Sequence, residues 1–118
     1  DVLVVDDDER VLNSMRAVLL AGGLTTEGAR HAGEALEKFE NALKTTGQAP
    51  RIVVTDLRLP GLLGTDLARR IKELAPTTRV VLVSGYIGER AGSSPSPYID
   101  AIVGKPFDAR ELLRVVES

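Results

Sequence analysis

The sequence predicts an α/β fold: a parallel sheet covered by helices on both faces. Three observations predict it. Short continuous apolar runs, Val2–Val5, Ile52–Thr55 and Val80–Val83, lack the alternation of a half-exposed strand and suit strands buried on both faces. The first and second of these are followed by apolar residues at three- and four-residue spacing, the mark of an amphipathic helix. The strand-then-helix alternation recurs along the whole chain, five times over 118 residues, and such alternation implies a parallel sheet with right-handed crossovers.

Val2–Val5 reads as the first strand. Val11, Leu12, Met15, Val18 and Leu19 then mark a helix stopped by Gly22-Gly23. Leu24–Glu27 reads as a weak second strand. Ala32, Ala35, Leu36, Phe39 and Leu43 stripe a second helix, broken by Gly47–Pro50. Ile52–Thr55 is the third strand and ends at Asp56. Leu67, Ile71 and Leu74 stripe a third helix closed by Pro76, and Val80–Val83 is the fourth strand, ending at Ser84. Where a fourth helix should follow, Gly92–Pro97 reads GSSPSP, so that helix is expected to be short or irregular, at best a turn or two over Ile87–Ala91. Ala101–Val103 is a short fifth strand before Lys105-Pro106. Asp108, with Glu111 three residues on, forms a capping box for a last helix that buries Leu112, Leu113, Val115 and Val116.

Length points to a single domain, residues 1–118, and the lack of an initiator Met suggests an excerpt of a longer chain. With two Tyr, two Phe and no Trp, the core must be aliphatic. Seventeen acidic and fifteen basic residues give a net charge of −2, with no basic stripe for direct nucleic-acid binding. The absence of cysteine excludes disulfides and zinc–thiolate sites. No apolar run is long enough for a membrane span and no signal peptide is visible, so a cytoplasmic domain without membrane contact is expected.

The chemistry-bearing residues follow the strands. Asp6 and Asp7 come after the first, Asp56 after the third, Ser84 after the fourth and Lys105 after the fifth. Ligands of open α/β sheets bind outside the carboxyl ends of the strands, so three carboxylates, a hydroxyl and an ammonium are expected to converge there. Two carboxylates about 4 Å apart repel by roughly 4 kcal/mol at an effective dielectric of 20. A hard divalent cation such as Mg²⁺, which takes carboxylate, water and phosphate oxygens, answers that repulsion.

The segments VLVVDDDERVL, VVTDLRLPGLLG, VVLVSG and VGKPF, in that order, resemble the receiver domain of two-component response regulators over the whole chain. The resemblance implies a flavodoxin-like doubly wound sheet of five parallel strands in the order 2-1-3-4-5. It implies phosphoryl transfer from a phosphohistidine to Asp56, with Mg²⁺ held directly by Asp7 and Asp56, through water by Asp6, and by the backbone carbonyl of Arg58. Lys105 and Ser84 would join Asp56 in the catalytic set, and Ser84 and Lys105 would respond to the new acyl phosphate as the switch. The implied partner is a histidine kinase or a histidine phosphotransfer protein. VSGY followed by an irregular segment and KPF leans toward a receiver attached to a hybrid histidine kinase, and pairing of two copies stays open. Beyond catalysing its own phosphorylation and dephosphorylation, the domain is not expected to be an enzyme.

Blander readings suit some residues better. Asp8 suits an N-cap, and His31 an ordinary loop or helix-start residue. The sequence also departs from the pattern: receivers carry an aromatic three residues before the lysine, and here that switch position is Ile102. Tyr86 or Tyr98 could serve differently, and Arg58 and Tyr86 flank the site where they could tune phosphoryl lifetime. The departure at Ile102 keeps open a degenerate receiver that acts as a protein-interaction module without phosphorylation. A hydrolase with an aspartyl-phosphate intermediate would need an Asp two residues after the nucleophile, where this chain has Arg58.

Overall fold

The computed structural model describes residues 1–59, 62–84, 97–104 and 107–117, without the side chains of Arg58, Leu62 and Ser84. Its strands and helices are β1 (Val2–Val5), α1 (Glu9–Ala21), β2 (Thr26–Ala29), α2 (Ala32–Thr46), β3 (Ile52–Asp56), β4 (Arg58–Leu59), β5 (Leu62–Leu63), α3 (Gly64–Leu74), β6 (Arg79–Ser84), β7 (Ala101–Gly104) and α4 (Ala109–Glu117). Five strands pair in parallel in the order β2-β1-β3-β6-β7, which in order along the chain is 2-1-3-4-5. The short β4 and β5 pair antiparallel as a separate hairpin, which the sequence pattern did not reveal. The segment expected to hold a short or irregular fourth helix lies outside the described residues.

Alternate residues of a strand face opposite sides of a sheet, and the core divides accordingly. Leu3, Val5, Val53 and Leu82 face α2 and α3, where Phe39, Leu67 and Ile71 complete one layer. Val2, Val4, Val54 and Val83 face α1 and α4, where Met15, Leu19, Leu112 and Val116 complete the other. Phe39 and Met15 are fully buried, and each such side chain stabilises the fold by about 1.5–3 kcal/mol relative to exposure. Leu74, expected in the third helix's buried stripe, is instead 42% exposed. That helix buries Gly64, Leu67, Ala68 and Ile71; Leu74 continues their face but is the last residue of the helix.

The second strand is displaced two residues from its expected position, and the cause lies at the end of α1. Gly23 takes the left-handed conformation, φ 87°. Its N–H donates to Leu20 O and the Leu24 N–H donates back to Leu19 O, both at 3.0 Å. This is the Schellman closure, which satisfies carbonyls at a helix end. Leu24 is thereby consumed by the cap, and pairing with β1 begins at Thr26, opposite Val2.

Candidate functional site

β1 ends against β2: the Asp6 N–H donates to Ala29 O at 3.1 Å and extends the parallel ladder one residue past the strand. This places Asp6 at the carboxyl edge of the sheet, fully buried. Its Oδ1 accepts the Asp8 N–H at 2.9 Å, so the chain turns immediately. Asp8 caps α1 by accepting the Arg10 N–H at 2.9 Å. The run of three aspartates is thus divided by backbone geometry: Asp8 belongs to the helix, while Asp6 and Asp7 face the sheet edge.

Asp56 is the last residue of β3, paired opposite Val83. The chain then folds into the β4–β5 hairpin and returns, so that the Gly64 N–H donates to Leu57 O at 2.6 Å. A Cβ at position 64 would overlap the Asp56 carbonyl oxygen. Helix α3 therefore starts hard against the Asp56–Leu57 peptide, and only glycine permits that approach. The result is convergence: Asp6, Asp7 and Asp56 each offer a carboxylate oxygen, and these lie within 4.8 Å of one another. Asp6 is buried, Asp56 half-buried and Asp7 exposed, a graded opening to solvent. Hard oxygen donors at this spacing fit a Mg²⁺ ion.

A cation stands at the Asp7 backbone on the β2 side. Arg30 directly follows β2, its guanidinium donates to Asp7 O at 3.4 Å, and it stands 4.0 Å from the Glu9 carboxylate. The Arg30 N–H donates to Glu34 Oε1 at 2.8 Å. That bond, joined by the Lys38 ammonium 3.5 Å away, holds the Glu34 carboxyl below its ordinary range against the opposing effect of burial. His31 caps α2, with Nδ1 accepting the Glu34 N–H at 3.1 Å.

A family model described as the response regulator receiver domain matches residues 2–117. The chain belongs to this family. The receiver domain is 31% identical to the DNA-binding transcriptional regulator NtrC of Escherichia coli strain K12, over 98% of this chain and 24% of the regulator. It is 30% identical to the autoinducer 1 sensor kinase/phosphatase LuxN of Vibrio campbellii, over 98% of this chain and 13% of the kinase. The chain thus spans a quarter or less of these two relatives. Among solved structures, the receiver domain of NtrX from Brucella abortus superposes with a TM-score of 0.81 at 32% identity, covering 99% of this chain and 95% of that one.

The remaining expected site residues of the receiver domain fall as follows. The Arg58 backbone sits in β4, two residues past Asp56. Ser84 ends β6 and is paired with Gly104 of β7, so the Ser84 backbone and the residue before Lys105 lie side by side. The Ser84 side chain, Lys105 and Tyr86 lie outside the described residues. Ile102 is half-buried, paired with Leu82 and packed against the core layer beneath α2 and α3. Tyr98 is 36% exposed in the turn before β7. Sequence reasoning missed Arg30 and Gly64. Nothing in the pattern marked Gly64, whose need arises from the contact with the Asp56 carbonyl; for Arg30 the signal was a basic residue at the end of the strand that neighbours the acidic one.

Proposed function

We propose that this receiver domain accepts a phosphoryl group on Asp56 from the phosphohistidine of a histidine kinase or histidine phosphotransfer protein, and changes its partner interactions as a result. The observation that carries the reading is the convergence of the Asp6, Asp7 and Asp56 carboxylates at the carboxyl edge of the sheet. In the transfer, an Asp56 carboxylate oxygen forms the new O–P bond as the P–N bond to the imidazole breaks. The imidazole nitrogen keeps the bonding electron pair and takes up a proton from solvent. Hydrolysis of the acyl phosphate by water restores Asp56.

Asp7 and Asp56 would hold Mg²⁺ directly, Asp6 through a water, with the Arg58 carbonyl as a further ligand. Bound there, Mg²⁺ supplies the charge neutralisation that lets an anionic carboxylate approach an anionic phosphoryl group. The chain does the rest. The Asp8 N–H fixes one oxygen of Asp6. The Gly64 contact fixes the peptide after Asp56. Lys105 pairs with the transferred group and the Ser84 hydroxyl donates to it, drawing inward the segments that follow β6 and β7. With Ile102 half-buried against the core in place of an aromatic, the response runs through those segments. Residues 1–118 act as one cytoplasmic receiver unit, of the kind found in a regulator or a hybrid kinase.

Intact-protein mass after incubation with acetyl phosphate and Mg²⁺ tests this. One phosphoryl addition is expected, absent in EDTA and absent in Asp56→Asn. Addition that persists in Asp56→Asn overturns the assignment of the nucleophile. No addition from either acetyl phosphate or a phosphorylated phosphotransfer protein, with no Mg²⁺ response at Asp7, turns the reading to a phosphorylation-independent interaction module.

A further inference from the structure

We propose that Arg30 is a built-in counter-ion of the acidic pocket: it stabilises the clustered carboxylates in the metal-free domain and competes with the divalent cation that displaces that role. The inference rests on the reading of the pocket as a Mg²⁺ site. It adds a residue on the strand beside the pocket that sets how tightly the cation is held.

Asp6 N–H on Ala29 O locks the ends of β1 and β2 side by side, so the residue after Ala29 must stand at the pocket's edge. The backbone of that residue is fixed by Glu34, itself braced by Lys38. The guanidinium reaches across to the β1–α1 loop while staying largely exposed. β2 is one edge strand of the sheet and β7, which leads into Lys105, is the other. Arg30 therefore supplies positive charge from the side opposite the expected lysine.

A structural arginine clamps a carboxylate through two short parallel bonds. Arg30 makes one long bond to the Asp7 carbonyl and stands 4.0 Å from Glu9, with its side chain 59% exposed. Contacts of that kind hold a loop weakly. What the residue delivers is a unit charge held at the backbone carbonyl of Asp7, the exposed member of the carboxylate cluster. That charge favours the empty pocket and repels a divalent ion. The two roles differ in sign. If Arg30 chiefly positioned the loop, its loss would weaken Mg²⁺ binding. As a counter-ion, its loss tightens binding.

The test is titration of the isotope-labelled chain with MgCl₂, following the backbone amide signals of Asp7 and Asp8, for the native protein and for Arg30→Lys, Arg30→Gln and Arg30→Glu. The spectra report folding of each variant. Arg30→Lys should match the native affinity. Arg30→Gln keeps a donor for the Asp7 carbonyl but not the charge, and should bind Mg²⁺ roughly three- to ten-fold more tightly at low salt. Arg30→Glu should bind more tightly still, and the differences should shrink at about 0.5 M NaCl, where exposed charges are screened. In EDTA, the Gln and Glu variants should melt below the native protein, and Mg²⁺ should close the gap. Native-like or weaker Mg²⁺ binding by Arg30→Gln overturns the counter-ion role while leaving the metal pocket standing, because the native chain still saturates. Absence of any saturable Mg²⁺ response in the native chain overturns both.

Discussion

Asp6, Asp7 and Asp8 are three identical side chains with three surroundings. One is buried and bonded to the next turn, one is exposed in the pocket, and one caps a helix. Their types and order were legible in the sequence; the division of labour between the first two and the third was legible too, because a helix needs a cap where α1 starts. Gly64 was not legible, since its necessity arises from a contact across the hairpin with a carbonyl eight positions earlier. That contact makes a prediction at the same scale. Gly64→Ala must push its methyl against the Asp56 carbonyl, and overpacking of this kind costs about 1–3 kcal/mol. Urea unfolding should show that loss. Because the displaced atom belongs to the proposed phosphoryl acceptor, phosphorylation by acetyl phosphate should slow as well. A variant with unchanged stability and unchanged rate would mean that α3 yields freely and does not hold Asp56 in place.

Elements were legible where one residue type fixes the backbone and obscure where two elements compete for the same residue. The ends of α1 and α2 were announced by Gly22-Gly23 and Gly47. Leu24 looked like strand because it is apolar, yet it closes the Schellman cap of α1 and packs in the layer beneath α1 and α4. The β4–β5 hairpin is two residues per strand, too short for any periodicity to register. The edge strand β2 shows a further device. Thr25 and Ala29 direct their carbonyls to β1, so by alternation those of Thr26 and Gly28 face outward, where Arg16 and Lys38 donate to them. Cations over an exposed strand edge discourage pairing with another chain. For α2, the cap decides. His31→Ala removes the acceptor for the Glu34 N–H, and loss of a cap costs about 1 kcal/mol. Guanidinium unfolding should show a shift of that size with no change in Mg²⁺ affinity, since the Arg30 N–H bond to Glu34 does not involve the imidazole. A variant as stable as the native protein would show that Glu34 and Lys38 hold the start of α2 unaided.

Across the whole molecule, the sheet separates the proposed chemistry at its carboxyl edge from a second polar cluster near its amino edge. There Asp100 joins three elements. Its carboxylate accepts the Val80 N–H at 2.7 Å and the Lys72 ammonium at 2.8 Å, and Lys72 also donates to Thr78 O at 2.7 Å. The last turn of α3, the start of β6 and the approach to β7 are thereby fastened together. Burial acts to raise the Asp100 carboxyl, but the bonds from Lys72 and Val80 outweigh it and hold the group below its ordinary range. A carboxyl with a lowered folded-state value contributes stability that is fully present above its unfolded value, about 3.9, and is lost as the pH falls through the folded value below it. Glu34 is lowered in the same sense, so both ends of the molecule should weaken together in acid. Asp100→Asn keeps an acceptor for Val80 and Lys72 but loses the charge. Urea unfolding from pH 7 to pH 3 should show the native protein more stable than Asp100→Asn by a constant margin at neutral pH, with the margin shrinking once the pH drops below about 4. A margin that stays constant down to pH 3 would mean that the carboxylate's charge is immaterial and that the amino edge is held by hydrogen-bond geometry alone.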